Sequence, residues 1–348
     1  MKSFSLLLLL LLICSTDTMA QNNNPLEYSF DKKYGQVEVG GPFVGLEFHK
    51  SRPLPSRISF YYPVANSIDL STDYWKRDES RPLAFGIKIG NGKKQWLGRD
   101  GWKYTVSPHT VTFKERDAIL SYQLTYDFCL TEPTMVVSLS LKNETTTPQT
   151  VLVYSHLLMV LRTCQTYARK DTADIISAAR RESVIAQFGD NDTKDATVFA
   201  LNAGVKPDKC WSDAAVLSIR DDGTSLWMDS SSIGTTMTSS VAQRIRGTAA
   251  FEYNRILQPG ESMTIVQIIG STSKEEAEKT ITALAGNWQQ QVELFRDLVR
   301  NASSNDSHFF TGDPVIDRTT QWSKAILTAN AHYLDGKIVP MPCPAEYN

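Results

Sequence analysis

Glu346 is the carboxylate of this chain that draws attention as a group for sugar chemistry. It stands in Pro342-Cys-Pro-Ala-Glu-Tyr-Asn348, an acid-and-aromatic segment that follows a helical pattern. A loop of that kind can hydrogen-bond sugar hydroxyls. Hydrolysis of a glycosidic bond asks for more. One carboxyl must protonate the leaving oxygen, and a second must activate water or attack carbon. No other carboxylate pairs convincingly with Glu346, so no catalytic residue is assigned. Glu346 is read as a candidate substrate contact, with a structural role in its loop as the alternative. Trp75 joins it from the polar stretch Asn66 to Pro82, because an exposed indole stacks on the C–H face of a sugar ring. Trp96 and Trp102, in Trp96-Leu-Gly-Arg-Asp-Gly-Trp102, invite the same reading. The competing reading is that Trp75, Trp96 and Trp102 cap the ends of a core, since large aromatics are mostly buried.

Other chemistries find no support. The chain has no G-x-S-x-G, no P-loop, no Rossmann glycine fingerprint and no H-E-x-x-H. Gly40-Gly41-Pro42 is too short for a phosphate cradle and marks a turn or bulge. Asp190-Asn-Asp-Thr-Lys-Asp195 has carboxylates at calcium-like spacing but lacks the glycine and final Glu of an EF-hand loop, so it reads as a solvated turn. His49, His109, His156, His308 and His332 are scattered and read as structural. Cys129, Cys164, Cys210 and Cys343 are far apart, without C-x-x-C or a neighbouring His. They imply no metal site and no redox pair, and leave at most a disulfide whose partners the sequence does not choose. No cofactor is implied.

These residues need a scaffold. From about Tyr34 to Gly270, apolar residues alternate with polar ones. Examples are Ile58/Phe60/Tyr62, Leu120/Tyr122/Leu124/Tyr126/Phe128 and Met263/Ile265/Gln267/Ile269. Period-two alternation predicts antiparallel strands with one buried face. Asn91-Gly92, Asp222-Gly223 and Gln258-Pro259-Gly260 separate the runs as turns. Many strands without interleaved helices predict a large β-sandwich over residues 21–270. Residues 271–307 change period. Ser273-Lys-Glu-Glu276 is a capping-box pattern, and Ala277, Ile281, Leu284, Trp288, Val292, Phe295 and Val299 make an apolar stripe, with Gly286-Asn287 as a candidate break. In residues 308–348, Asp313 is an N-cap and Pro314 suits the first helical position. Val315, Trp322, Ile326, Ala329 and Tyr333 then predict a helix closed by Gly336, its apolar face awaiting a cover.

The 348 residues carry a formal net charge of -2, which argues against nucleic acid or an anionic membrane as the main partner. Met1 to Ala20 reads as a signal peptide. Lys2 is its positive end, Leu6 to Ile13 its apolar core, and Thr18-Met19-Ala20 its cleavage site. The apolar run is too short to span a bilayer, so the mature chain is expected to be secreted or periplasmic. Four sequons begin at Asn143, Asn191, Asn301 and Asn305; outside a eukaryotic secretory pathway they are polar turns.

The layout, together with GDPVIDRTTQWSKAILTANAHYLDG, KIVPMPCPAEYN and the stretch from Phe43 to Gly101, resembles bacterial glycogen-debranching-type glycoside hydrolases. These amylo-α-1,6-glucosidase-like enzymes belong to the six-hairpin (α/α)6-barrel class. The resemblance covers nearly all of the mature chain and only the N-terminal portion of such an enzyme. It implies a mostly β fold: a large antiparallel supersandwich, then a linker helix and the first helix of an incomplete (α/α)6 barrel. It implies an oligosaccharide or polysaccharide substrate reached through the full-length enzyme, with Glu346, Tyr347 and Asn348 as substrate contacts at the start of the first active-site loop and both catalytic carboxylates on later barrel loops. The chain alone is then expected to be inactive and to support the missing barrel. A standalone carbohydrate-binding or structural sandwich is the alternative.

Overall fold

A computed structural model describes residues 26–30, 36–49, 52–63, 68–69, 82–93, 95–98, 102–159, 162–163, 183–187, 196–213, 247–273, 275–304, 310–334 and 336–340. In chain order the first strands are β1 (Tyr28–Phe30), β2 (Gln36–Gly40), β3 (Val44–His49), β4 (Arg57–Phe60), β5 (Ile68–Asp69), β6 (Leu83–Ile89) and β7 (Gln95–Trp96). Then come β8 (Lys103–Ser107), β9 (Thr110–Arg116), β10 (Leu120–Phe128), β11 (Thr134–Asn143), β12 (Gln149–Met159), β13 (Arg162–Thr163), β14 (Ser183–Gln187), β15 (Ala196–Asn202) and β16 (Lys209–Asp213). The long pair β17 (Gly247–Leu257) and β18 (Ser262–Ser273) precedes α1 (Ala277–Ser304) and α2 (Pro314–Ala329). A hairpin, β19 (Ala331–Leu334) and β20 (Lys337–Pro340), follows. The fold is mostly β and antiparallel, with two helices among the described residues.

Among the described residues an eight-stranded sheet runs β1-β8-β9-β10-β11-β18-β15-β14. Two five-stranded sheets run β16-β17-β12-β6-β7 and β13-β5-β4-β3-β2. One core lies between the eight-stranded sheet and the other two. Phe113, Leu124, Tyr126, Leu139 and Ile265 enter it from the first, and Phe85, Val153, Tyr253, Phe48 and Phe60 from the others. The alternation read in the sequence makes this happen: β10 buries Leu120, Tyr122, Leu124 and Tyr126 and turns Ser121, Gln123 and Thr125 outward. Tyr126 is fully enclosed, and its hydroxyl donates to the Pro53 carbonyl at 2.6 Å. Burial holds that phenol well above its ordinary pKa.

The outer face of the eight-stranded sheet is divided. Val136, Phe199, Leu201, Val266 and Ile268 form an apolar half, and α1 lies on it through Ile281, Leu284 and Val292. Gly270 makes the close packing there possible. A Cβ at that position would stand 2.4 Å from Thr134 Cγ2 and 2.5 Å from Phe199 Cζ. Polar ties fix the helix: the Gln291 side-chain oxygen accepts from the Thr131 N–H at 3.0 Å, and Arg296 Nη2 donates to Asp127 Oδ1 at 2.9 Å. Phe295 meets Phe128, at the end of β10, edge-on with ring centroids 6.3 Å apart.

The expected break at Gly286-Asn287 does not occur; α1 is continuous and about 42 Å long. The packing of Leu284 and Val292 on either side outweighs the roughly 1 kcal/mol by which glycine disfavours a helix interior. The capping box does not form as expected: Ser273 Oγ donates to Glu276 Oε2 at 2.8 Å, and the Glu276 N–H donates to the Ser273 carbonyl at 3.2 Å, in the turn before the helix begins at Ala277.

The other half of the outer face is polar and open. In register across five strands stand Lys103, Lys114, Gln123, Ser140 and Thr264. One step along lies the row Arg116, Ser121, Lys142 and Ser262. One step the other way lies a row of hydroxyls, Ser29, Thr105, Thr112, Thr125 and Ser138.

Candidate functional site

The helix α2 and the hairpin β19–β20 form a platform fixed to one edge of the sandwich. The first turn of α2 is built as the sequence predicts. Asp313 Oδ1 accepts from the Val315 N–H at 2.8 Å and the Ile316 N–H at 3.4 Å, with Pro314 inside the first turn. Asp317 adds a second clasp. Its carboxylate accepts from the Thr311 N–H and hydroxyl, each at 2.8 Å, and those bonds hold its pKa below the usual range.

The inner side of α2 packs chiefly on α1, and long side chains carry it to β1. Ala325 and Ala329 are fully buried in the main core. Trp322 meets Tyr28 of β1 edge-on at 4.8 Å. The Arg318 guanidinium lies 4.1 Å above the same ring and donates to the Glu27 carbonyl at 2.5 Å.

The helix ends at Ala329 with Asn330 as its cap, not at Gly336. Gly336, at φ 77°, makes the hairpin turn instead. Tyr333 therefore belongs to a strand rather than to a helical stripe. This strand hangs on the Gly41-Pro42 turn: the Tyr333 N–H donates to the Pro42 carbonyl at 2.9 Å, and His332 Nδ1 lies 2.9 Å from the Gly41 carbonyl. Gly41 is required at that turn, since a Cβ would stand 2.5 Å from Phe128 Cβ. The His332 ring packs 4.2 Å from Tyr61, and burial pushes its pKa down to about 4. The glycine pair read as a turn thus becomes the seat of the hairpin.

The outer side of the platform carries apolar side chains uncovered by described residues, set among exposed polar ones such as Thr319, Ser323 and Lys337. Val315 is 72% exposed, Leu327 63% and Ile338 68%, with Ile316 and Tyr333 beside them. The expected open face was Val315, Trp322, Ile326 and Tyr333. Val315 and Tyr333 fit it; Trp322 and Ile326 are half-buried because the small Ala325 and Ala329 let the helix settle close.

Glu346, Tyr347, Asn348 and Trp75 lie outside the described residues, as do the segment 1–20, Cys164, Cys343, His308, Asp190–Asp195, Asp222-Gly223, Asn191 and Asn305. Trp102 is buried and packs 6.1 Å from Tyr122, so it caps the core. Trp96 is half-buried with its ring 5.1 Å from that of His156. Both tryptophans line a recess of about 230 Å³ with Gln95, Glu115, Asp117 and Tyr122. Asp117 is committed to its turn: it accepts from the Ile119 and Leu120 N–H groups and from the Tyr122 hydroxyl at 2.5 Å.

A charged layer on the five-stranded sheet of β2–β5 escaped the reading of the sequence. Glu38 stands opposite Glu47 in register, and Glu47 opposite Arg57. Glu47 and Arg57 are buried, and His49 contacts the Glu47 carboxylate. The signal was the same alternation that exposed the core. Val37, Leu46 and Ile58 point inward, so Glu38, Glu47 and Arg57 must share the far face. Among the described residues no cluster of His, Cys, Asp and Glu has the arrangement of a metal site. Cys129 is buried, and burial lifts its thiol to about 12. Asn143 is also buried. Its amide donates to the Thr147 and Leu257 carbonyls, and its oxygen accepts from Thr145, the third residue of the same sequon. It has no face left for a glycan.

No family model matches the chain, and no curated protein matches it. Solved structures do. A bacterial glucoamylase complexed with acarbose gives a TM-score of 0.46 at 10% identity, over 87% of this chain and 42% of that one. A galactose mutarotase-like protein from Lactobacillus casei gives 0.40 at 9% identity, over 68% of this chain and 100% of that one. A polysaccharide lyase gives 0.39 at 12% identity, over 66% and 32%. The chain spans about a third of that lyase and less than half of the glucoamylase.

Proposed function

We propose that this chain is the N-terminal, supporting part of a glycoside hydrolase acting on an α-glucan or a related oligosaccharide outside the cytoplasm. Its sandwich holds and orients a helical catalytic barrel, and the catalytic carboxylates belong to that barrel. The observation that carries this reading is the two-sided platform. Its inner side is held against α1 by Ala325 and Ala329 and tied to the sandwich by Arg318 and His332, while Val315, Ile316, Leu327 and Ile338 remain exposed. Several large apolar side chains held exposed on one ordered element suit a docking surface. Further helices of the same polypeptide are the occupant proposed here, in keeping with the family resemblance of the sequence.

Sedimentation of the chain alone tests this. Self-association is expected, and Val315→Ser with Leu327→Ser should relieve it. A monomer at every concentration, unaffected by the substitutions, overturns the docking role. The same chain should release no sugar from α-glucan, whereas a polypeptide extended by the barrel should.

A second reading rests on the recess between Trp96 and Trp102, where aromatic faces meet Gln95 and Glu115. In that reading the sandwich itself retains glucan. Trp96→Ala should then abolish retention on an α-glucan column, and unchanged retention removes this role.

A further inference from the structure

The open half of the eight-stranded sheet's outer face is a separate feature and does not depend on the proposed barrel. It forms a groove of about 760 Å³ that includes Lys103, Lys114, Arg116 and Lys142. Lys103 stands directly opposite Lys114 on the neighbouring strand, with both side chains exposed. Like charges in that relation destabilise a sheet. Among the described residues neither lysine has an ion-pair partner. Glu144 serves the other two cations: Arg116 Nη2 lies 3.1 Å from it and Lys142 Nζ 3.4 Å. Glu115 lines the groove too, although alternation sets it on the opposite face of β9. The groove therefore keeps an excess of positive charge, with Lys103 and Lys114 uncompensated, on a chain whose formal net charge is -2.

The spacing is regular. Adjacent strands place Lys103 and Lys114 about 4.8 Å apart along the sheet, and two residues separate Lys114 from Arg116 by about 6.8 Å. Between these cations the sheet offers Gln123 and short hydroxyl side chains. No exposed aromatic ring stands in these rows to stack the bases of a single-stranded nucleic acid, and no exposed large apolar side chain to enter a bilayer; duplex DNA is left to the test.

We infer that this groove binds a stretch of uronate-bearing polysaccharide, whose carboxylates pair with Lys103, Lys114 and Arg116 while Gln123 and the flanking hydroxyls meet the sugar hydroxyls. Charge-assisted bonds to carboxylate are the strong ones in such a contact, and Arg116 can form them two at a time.

Affinity electrophoresis of the full chain in gels holding polygalacturonate, a neutral α-glucan or duplex DNA tests this. At low ionic strength polygalacturonate should retard the chain, and rising salt should release it. Lys103→Glu with Lys114→Glu should weaken the retardation at least about tenfold, equivalent to about 1.4 kcal/mol. Both side chains are exposed, so the melting temperature should hold; Lys103→Gln alone provides a milder check and should give a smaller loss of the same sign. Three results overturn the inference: no retardation by polygalacturonate, equal retardation of the charge-reversed variant, or retardation by DNA as strong as by the polyuronate. The neutral-glucan lane reads the Trp96 recess, whose failure or success leaves this result untouched.

Discussion

Acidification should loosen the hairpin seat before it protonates most carboxylates. His332 is fully buried against Tyr61, with Nδ1 facing the Gly41 carbonyl at 2.9 Å. Burial pushes its pKa from 6.5 down to about 4, while the Gly41 and Pro42 carbonyls pull weakly the other way. The unfolded chain therefore binds a proton that the folded chain refuses, and stability rises with pH across this window. The contribution is lost progressively as pH falls from about 6.5 toward 4. A displacement of about 2.5 pH units, at about 1.36 kcal/mol each, is worth roughly 3 kcal/mol when fully expressed. His109, pushed down to about 4 by burial and by Arg296 and Arg300, should add a term of the same sign. The assay is urea unfolding between pH 7 and pH 4.5, comparing the chain with His332→Gln. Glutamine keeps a donor for the Gly41 carbonyl and removes the titration, so the gap between the two proteins should narrow as the medium acidifies. Exchange of the Tyr333 N–H, bonded to Pro42, should accelerate in parallel in the unsubstituted chain. A gap that stays constant from pH 7 to pH 4.5 refutes the account of His332.

Other substitutions probe the scaffold. Asp313→Ala strips two N–H groups of their acceptor and should cost about 1 kcal/mol of thermal stability in calorimetry. Phe295→Ala empties a fully buried site against Phe128 and should lower the unfolding free energy by about 3–5 kcal/mol, read from the urea midpoint. Gly270→Ala forces a methyl against Thr134 and Phe199 and should cost about 1–3 kcal/mol, with β15 and α1 showing the faster hydrogen exchange.

Much of the scaffold could be read from residue order because its physics is local. Leu120 to Phe128 alternates and so makes a strand with one wet face; Asp313-Pro314 starts a helix because side-chain oxygen and fixed φ both favour it there. The helix end was misread for a reason equally local. Tyr333 falls in step with a helical stripe, and Gly336 suits a helix terminus. Yet Asp335-Gly336, flanked by short β-prone runs, is also a hairpin signal, and the docking of Tyr333 on Pro42 decides for the hairpin. That contact joins residues far apart in the chain, so no local pattern contains it. The same holds for the groove. Lys103, Lys114, Arg116 and Lys142 become one surface through strand register, whereas along the chain they are merely four charged residues. The distribution of tryptophans was half legible: aromatic type marked Trp102 as a core cap, but not how its neighbour Trp96 would share a recess with Glu115.

The clasp between Arg318 and Glu27, and that between His332 and Gly41, each span 291 positions of sequence. On a ribosome adding about 5–20 residues per second, the later partner emerges about 15–60 s after the earlier one. During that interval β1 and the Gly41-Pro42 turn wait without their final contacts. The sheet can pair β8 to β11 early, because those strands are neighbours in the chain, but its first edge is sealed last. A nascent chain of this protein should therefore pass through a long-lived stage with an open strand edge, the stage at which holding factors would find it.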